Sequence, residues 1–73
     1  MLNLRAIRKR KKLSQQDLAT LLGVSQIAIS QYERGTREPN IETLVLICQK
    51  MDITIEELID FKSIQEKLSK KIR

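Results

Sequence analysis

Between Ser25 and Gly35 the chain reads Gln26, Ile27, Ala28, Ile29, Ser30, Gln31, Tyr32, Glu33 and Arg34. On a helix with Ile29 turned inward, Tyr32 and Glu33 lie on or beside the buried face. Gln26, Ile27, Ser30, Gln31 and Arg34 are left outward. This is a set for reading flat polar edges and anions rather than for breaking bonds. A glutamine amide near the helix start can pair bidentately with adenine, and an exposed isoleucine offers its methyls to thymine. Gln31, one turn beyond Ile27, can reach a further base or a phosphate. Ser25, Arg34, Thr36 and Arg37 fall on the same side as phosphate candidates, although capping the helix would by itself explain Ser25.

Other chemistry is poorly supplied. The 73 residues include no histidine and one cysteine, so the usual neutral-pH base and the ligand sets of structural zinc are missing. No nucleophile with a base beside it and no carboxylate pair can be assembled. No catalytic residue, metal, cofactor or small-molecule ligand is therefore expected. Cys48, within an apolar run, reads as a small buried hydrophobe suited to a reducing cytoplasm. No apolar run approaches the ~18 residues of a membrane span. A chain this short buries only about 60% of its unfolded surface, which leaves little room for a deep substrate cavity.

Charge is strongly segregated. The net of +5 divides into +6 over residues 1–12, −1 over 13–39, −4 over 40–60 and +4 over 61–73. A folded domain with one basic end suits a polyanion such as nucleic acid, although the Lys9 to Lys12 run also complements a helix dipole.

Positioning these groups requires helices. Asn3, Ser14, Ser25, Asn40, Thr54 and Ser63 each precede an apolar-periodic segment, as N-caps do. Ser14, Thr54 and Ser63 have an acid three residues on, the capping-box spacing. Gly23 and Gly35 follow helical segments as left-handed stops, and Pro39 prevents continuation. The expected helices are 3–12, 15–22, 26–34, 41–51 and 55–60, with a sixth or an extension at 64–72. The expected core is Leu4, Ile7, Leu18, Ala19, Leu22, Val24, Ile29, Leu44, Ile47, Cys48, Met51, Ile53, Leu58 and Ile59. The only β-like alternation, at residues 53–55, is too short to pair usefully. The fold class is all-α, a compact five-helix domain over residues 1–61 followed by a basic amphipathic helix or tail at 62–73.

Two short helices joined through Leu22-Gly23-Val24-Ser25 form a helix-turn-helix over residues 15–34. Ala19 sits where they must cross closely. Gln15 opens the first of them just after its cap, so its backbone N–H can hold a phosphate.

Leu13-Ser14-Gln15, Leu18-Ala19, Leu22-Gly23-Val24-Ser25, Ile29 through Gly35 and Pro39 together resemble the XRE, or lambda repressor/Cro-like, helix-turn-helix family, from about Leu4 to Ile59. The resemblance implies a five-helix DNA-binding domain of a transcriptional regulator, usually dimeric. It also implies that the Gln15 side chain braces Gln26 and that Arg8 pairs with Glu33 as a structural ion pair. Leu21 and Leu46 stand where related sequences usually carry a polar residue. With Phe61, Ile64 and Leu68, an exposed Leu46 is the expected dimer interface; alternatively, the tail helix completes its own core. The expected function is a repressor that binds double-stranded DNA at a palindromic operator as a homodimer, nucleoid-associated in the cytoplasm. An antitoxin, whose partner is a toxin, and an interaction module that has kept the fold are the alternatives. An antirepressor is a further protein partner to expect. The Lys-rich tail has too little aromatic anchoring for a membrane surface.

Overall fold

The computed structural model describes residues 2–59 together with Gln65, Glu66, Leu68 and Ser69. Five helices follow one another: α1 (Leu4–Arg10), α2 (Gln15–Leu22), α3 (Gln26–Arg34), α4 (Ile41–Met51) and α5 (Ile55–Leu58). The architecture is all-α, as expected. α2 packs on α3 and α4, α4 packs on α5, and α1 packs on α3.

Capping residues set most of these boundaries. The side chains of Ser14, Ser25, Asn40 and Thr54 each accept the backbone N–H three residues on. Ser14 with Asp17 and Thr54 with Glu57 close reciprocal capping boxes. The Ser14 hydrogen bonds hold the Asp17 carboxyl below its ordinary range. Those from Thr54 do the same for Glu57, against some desolvation and with help from Arg10. Ser63 and most of the expected helix at 64–72 lie outside the described residues.

Asn3 does not cap. Its side chain makes no cap hydrogen bond. Its Nδ2 instead donates to the Glu57 carbonyl at 3.2 Å, and its backbone N–H donates to the Leu58 carbonyl at 2.8 Å. Beside it, Leu2 and Ile59 form an antiparallel bridge. The first and last described segments of the domain are thus tied together. The same bridge explains why α5 stops at Leu58 rather than running to residue 60, since Ile59 is extended to pair.

Leu4, Leu18, Ile29, Ile47 and Leu58 are fully buried, and each contributes about 1.5–3 kcal/mol by leaving water. Ile7, Ala19, Leu22, Met51 and Ile53 join them, as do Ala28 and Tyr32, which were not among the expected core residues. Val24, Leu44 and Cys48 are only partly buried against this cluster, and Ile59 is half-buried. Burial pushes the Cys48 thiol up, which suits a packing role over a reactive one.

Leu46 is a correction: it is half-buried and packs on its own core rather than standing exposed. The outward apolar residues of α4 are Ile41 and Val45, one turn apart. Of the remaining expected interface residues, Leu68 is exposed, while Phe61 and Ile64 lie outside the described residues.

α1 ends at Arg10, two residues short of the expectation, because Lys12 takes a left-handed φ of 60°. Leu13 N–H then reaches back to the Arg8 carbonyl at 3.1 Å. A residue with a Cβ costs roughly 1–2 kcal/mol in this conformation, against about 0.5–1 kcal/mol of extra chain entropy for glycine. Lys12→Gly is expected to stabilise the domain by up to about 1 kcal/mol, a rise of roughly 4 °C in Tm by thermal melting. A lower Tm would mean that the Lys12 side chain contributes more than its backbone costs.

Candidate nucleic-acid interface

The turn between α2 and α3 depends on Gly23. Its φ is +71°, and a Cβ there would meet nothing within 4 Å. The glycine is therefore required by backbone conformation and not by crowding. Val24 N–H returns to the Ala19 carbonyl at 3.0 Å, and Ala19, 1% exposed, lies in the core cluster with residues of both helices. Ser25 then starts α3 by accepting the Ala28 N–H at 3.1 Å. The cap leaves the first backbone N–H groups of α3, and likewise those of Gln15 and Gln16 in α2, for an anion.

α3 has two contrasting faces. Ala28, Ile29 and Tyr32 are buried, while Gln26, Arg34 and Ile27, the last at 69% exposure, face solvent. Ser30 and Gln31, expected to be fully outward, are half-buried at the edge of this surface. The Gln31 carbonyl accepts the N–H of Thr36 at 3.1 Å, the N–H of Arg37 at 3.4 Å and the Thr36 hydroxyl at 3.3 Å. Thr36, itself exposed, thereby helps to fix the backbone that carries the exposed Arg37.

Arg8 and Glu33, which the family resemblance pairs, meet in the structure. Arg8 Nε donates to Glu33 Oε2 at 2.6 Å and Nη2 donates to Oε1 at 3.2 Å. The third nitrogen, Nη1, donates to the Leu13 carbonyl at 2.8 Å. Their side chains are 10% and 4% exposed. The hydrogen bond to Glu33 raises the Arg8 pKa against the opposing effect of burial. Burial pushes the Glu33 carboxyl up, but hydrogen bonds from Arg8 and Gln15 outweigh it and hold the group below its ordinary value.

Gln15 Nε2 donates to Glu33 Oε1 at 3.2 Å, a contact within the domain that stands beside the bracing of Gln26 implied by the family resemblance. Around these groups an open cleft of about 290 Å³ is lined by Arg5, Arg8, Gln15, Ser30, Glu33 and Arg34. Arg5 was not among the residues read from the sequence as site candidates. Its signal was the i, i+3 spacing from Arg8, which puts both guanidiniums on one side of α1. Among the described residues, no three of His, Cys, Asp and Glu come together to hold a metal. No described helix is long and apolar enough to cross a membrane.

The Helix-turn-helix family model matches residues 4–58. The chain belongs to this family. It is 41% identical over 61 residues to the HTH-type transcriptional regulator YqaE of Bacillus subtilis, covering 84% of this chain and 53% of YqaE. It is 32% identical over 57 residues to the antitoxin PezA of Streptococcus pneumoniae, covering 78% of this chain and 36% of PezA. The chain thus spans about half the length, or less, of these relatives. Among solved structures it resembles the P22 c2 repressor bound to a synthetic operator, with a TM-score of 0.68 and 40% identity over 73% of this chain and 80% of that one. The five-helix fold is that of this lambda repressor-like domain.

The bracket formed by Arg8, Glu33 and Gln15 has a defined pH signature. Because the folded Glu33 carboxyl lies below its ordinary value of 4.5, its contribution is complete above that pH. It is lost as pH falls through the folded value. Glu33→Gln is expected to cost about 3 kcal/mol at pH 7 by leaving Arg8 unpaired. The stability gap between wild type and variant, measured by denaturant melts, should narrow below pH 4.5. A gap that stays constant down to pH 3 would remove the ion pair as its cause.

Proposed function

We propose that this chain binds double-stranded DNA sequence-specifically as a homodimer and acts as a repressor at a palindromic operator. The observation that carries the reading is the division of α3. One face is sealed into the core by Ala28, Ile29 and Tyr32, while Gln26 and a 69%-exposed Ile27 begin the opposite face. An isoleucine so exposed at the start of a helix gains nothing from water, and it matches the thymine methyl in a major groove.

In this reading Gln26 and Ile27 contact bases first, with Ser30 and Gln31 at the edge of the same surface. Gln15, Ser25, Arg34 and Arg37 hold the backbone phosphates on either side. Similarity to a repressor solved on an operator supports duplex DNA as the ligand. Pairing of two copies would draw on the C-terminal segment through Phe61, Ile64 and Leu68, with Leu46 offering only its uncovered part. A second reading, an antitoxin that also contacts a toxin, is favoured by the similarity to PezA and by the outward Ile41 and Val45. The expected cytoplasmic, nucleoid-associated location follows from either.

Selection of bound sites from random duplex DNA is expected to return inverted half-sites whose centres lie about one helical turn apart, roughly 34–36 Å. Gln26→Ala should then relax preference at one position of each half-site, costing about 1–3 kcal/mol there, with Tm unchanged. Single, unrepeated half-sites would contradict the dimer. The absence of any enriched sequence would contradict specific recognition.

A further inference from the structure

The cleft beside α3 contains three arginines and one glutamate. Its only carboxylate is fully engaged: Oε2 of Glu33 accepts from Arg8, and Oε1 accepts from both Arg8 and Gln15. Glu33 and Arg8 therefore neutralise each other, and two exposed guanidiniums, Arg5 on α1 and Arg34 at the end of α3, remain over the same opening. Among the described residues neither makes an ion pair. Arg5 is close enough for its charge to favour ionised Glu33. Two like charges held over one cleft by separate helices repel, and an anion between them removes that repulsion.

We propose that this cleft seats one backbone phosphate of duplex DNA, gripped between Arg5 and Arg34. The inference rests on the DNA-binding reading above and extends the interface from the helix-turn-helix onto α1. Three features favour a phosphate on a polymer. The cleft is open and polar rather than enclosed. Its wall includes Gln15, at the start of α2, and Ser30, on the edge of the reading face, so it is continuous with the surface that meets the groove. The planar forks of two arginines match the tetrahedral oxygens of a phosphate diester with one charge-assisted pair each. Such a contact fixes how the domain sits on the duplex and carries no sequence information.

The test measures affinity for selected and random duplexes by fluorescence anisotropy over a range of salt concentration, using wild type, Arg5→Gln and Arg5→Lys, with Tm measured in parallel. Arg5→Gln should weaken binding to both duplexes by a similar factor. It should also make the slope of log K against log salt shallower by about 0.9, the loss of one phosphate contact. Arg5→Lys should keep the wild-type slope, and Tm should not move in either variant. An unchanged slope and affinity in Arg5→Gln, with wild type binding normally, overturns the cleft proposal and leaves the DNA reading standing. Wild type that binds no duplex at all removes both. If Arg5→Gln lowers Tm, duplexes with single methylphosphonate substitutions decide the matter in its place. The wild type should be weakened by neutralising one particular phosphate to which Arg5→Gln is indifferent, and equal sensitivity of the two proteins overturns the proposal. Saturation by inorganic phosphate, without any effect of Arg5→Gln on duplex binding, would make the cleft a free-ion site and likewise overturn it.

Discussion

Arg8 on α1 and Glu33 on α3 have the whole of α2 between them in sequence, and their bidentate contact is the constraint on which the placing of α3 depends. It joins α1 to the inner edge of α3. Through Arg8 Nη1 it fixes the Leu13 carbonyl at the entry to α2, and through Gln15 it fixes the first residue of α2 itself. Three elements that pack through Leu4, Leu18 and Ile29 in the core are thereby also joined at their polar edge by one largely buried cluster. Ion pairs of this kind gain little net stability over an apolar replacement, because both charges must be desolvated. What the cluster contributes here is position: the start of α2 and the outward face of α3 are held relative to each other before any ligand arrives.

The rest of the fold complements this arrangement. A core of short aliphatic side chains closes behind α3, and the Leu2–Ile59 bridge with the Asn3 hydrogen bonds ties α1 to the end of α5. Charge follows the same division. The cations Arg5 and Arg34 line the cleft beside the outward face of α3 and Arg37 follows in the next loop, whereas Glu42, Asp52, Glu56 and Glu57 fall on α4, on α5 and in the turn between them. A polyanion approaching the domain is drawn toward one side of it.

Most of this was legible from local signals. Ser14, Ser25, Asn40 and Thr54 announced the helix starts because a cap is a contact within three residues, and Gly23 and Gly35 announced the stops for the same reason. Asn3 misled because its side chain and backbone are used across the fold, on α5, a partner no local pattern reveals. Leu46 looked exposed because related sequences usually carry a polar residue at its position, whereas here its side chain packs against the domain's own core and is half-buried. The family resemblance supplied the Arg8–Glu33 pair. It did not supply the Gln15–Glu33 contact, which gives Glu33 Oε1 a second donor beside Arg8. Arg5 escaped notice because, within a basic run, its i, i+3 spacing from Arg8 is the one mark that sets it apart, and the cleft that gives that spacing meaning forms only in the fold.

The claim that the Arg8–Glu33 cluster serves position more than stability is tested most directly by comparing Arg8→Met and Glu33→Leu singly and together, reading both unfolding free energy and affinity for a selected duplex. Each single change should cost about 3 kcal/mol by stranding a buried charge or a set of donors. The double variant should regain most of that stability while still binding the duplex at least about tenfold more weakly than wild type, a loss of roughly 1.4 kcal/mol. A double variant that recovers its stability and binds the duplex as tightly as wild type would contradict the account.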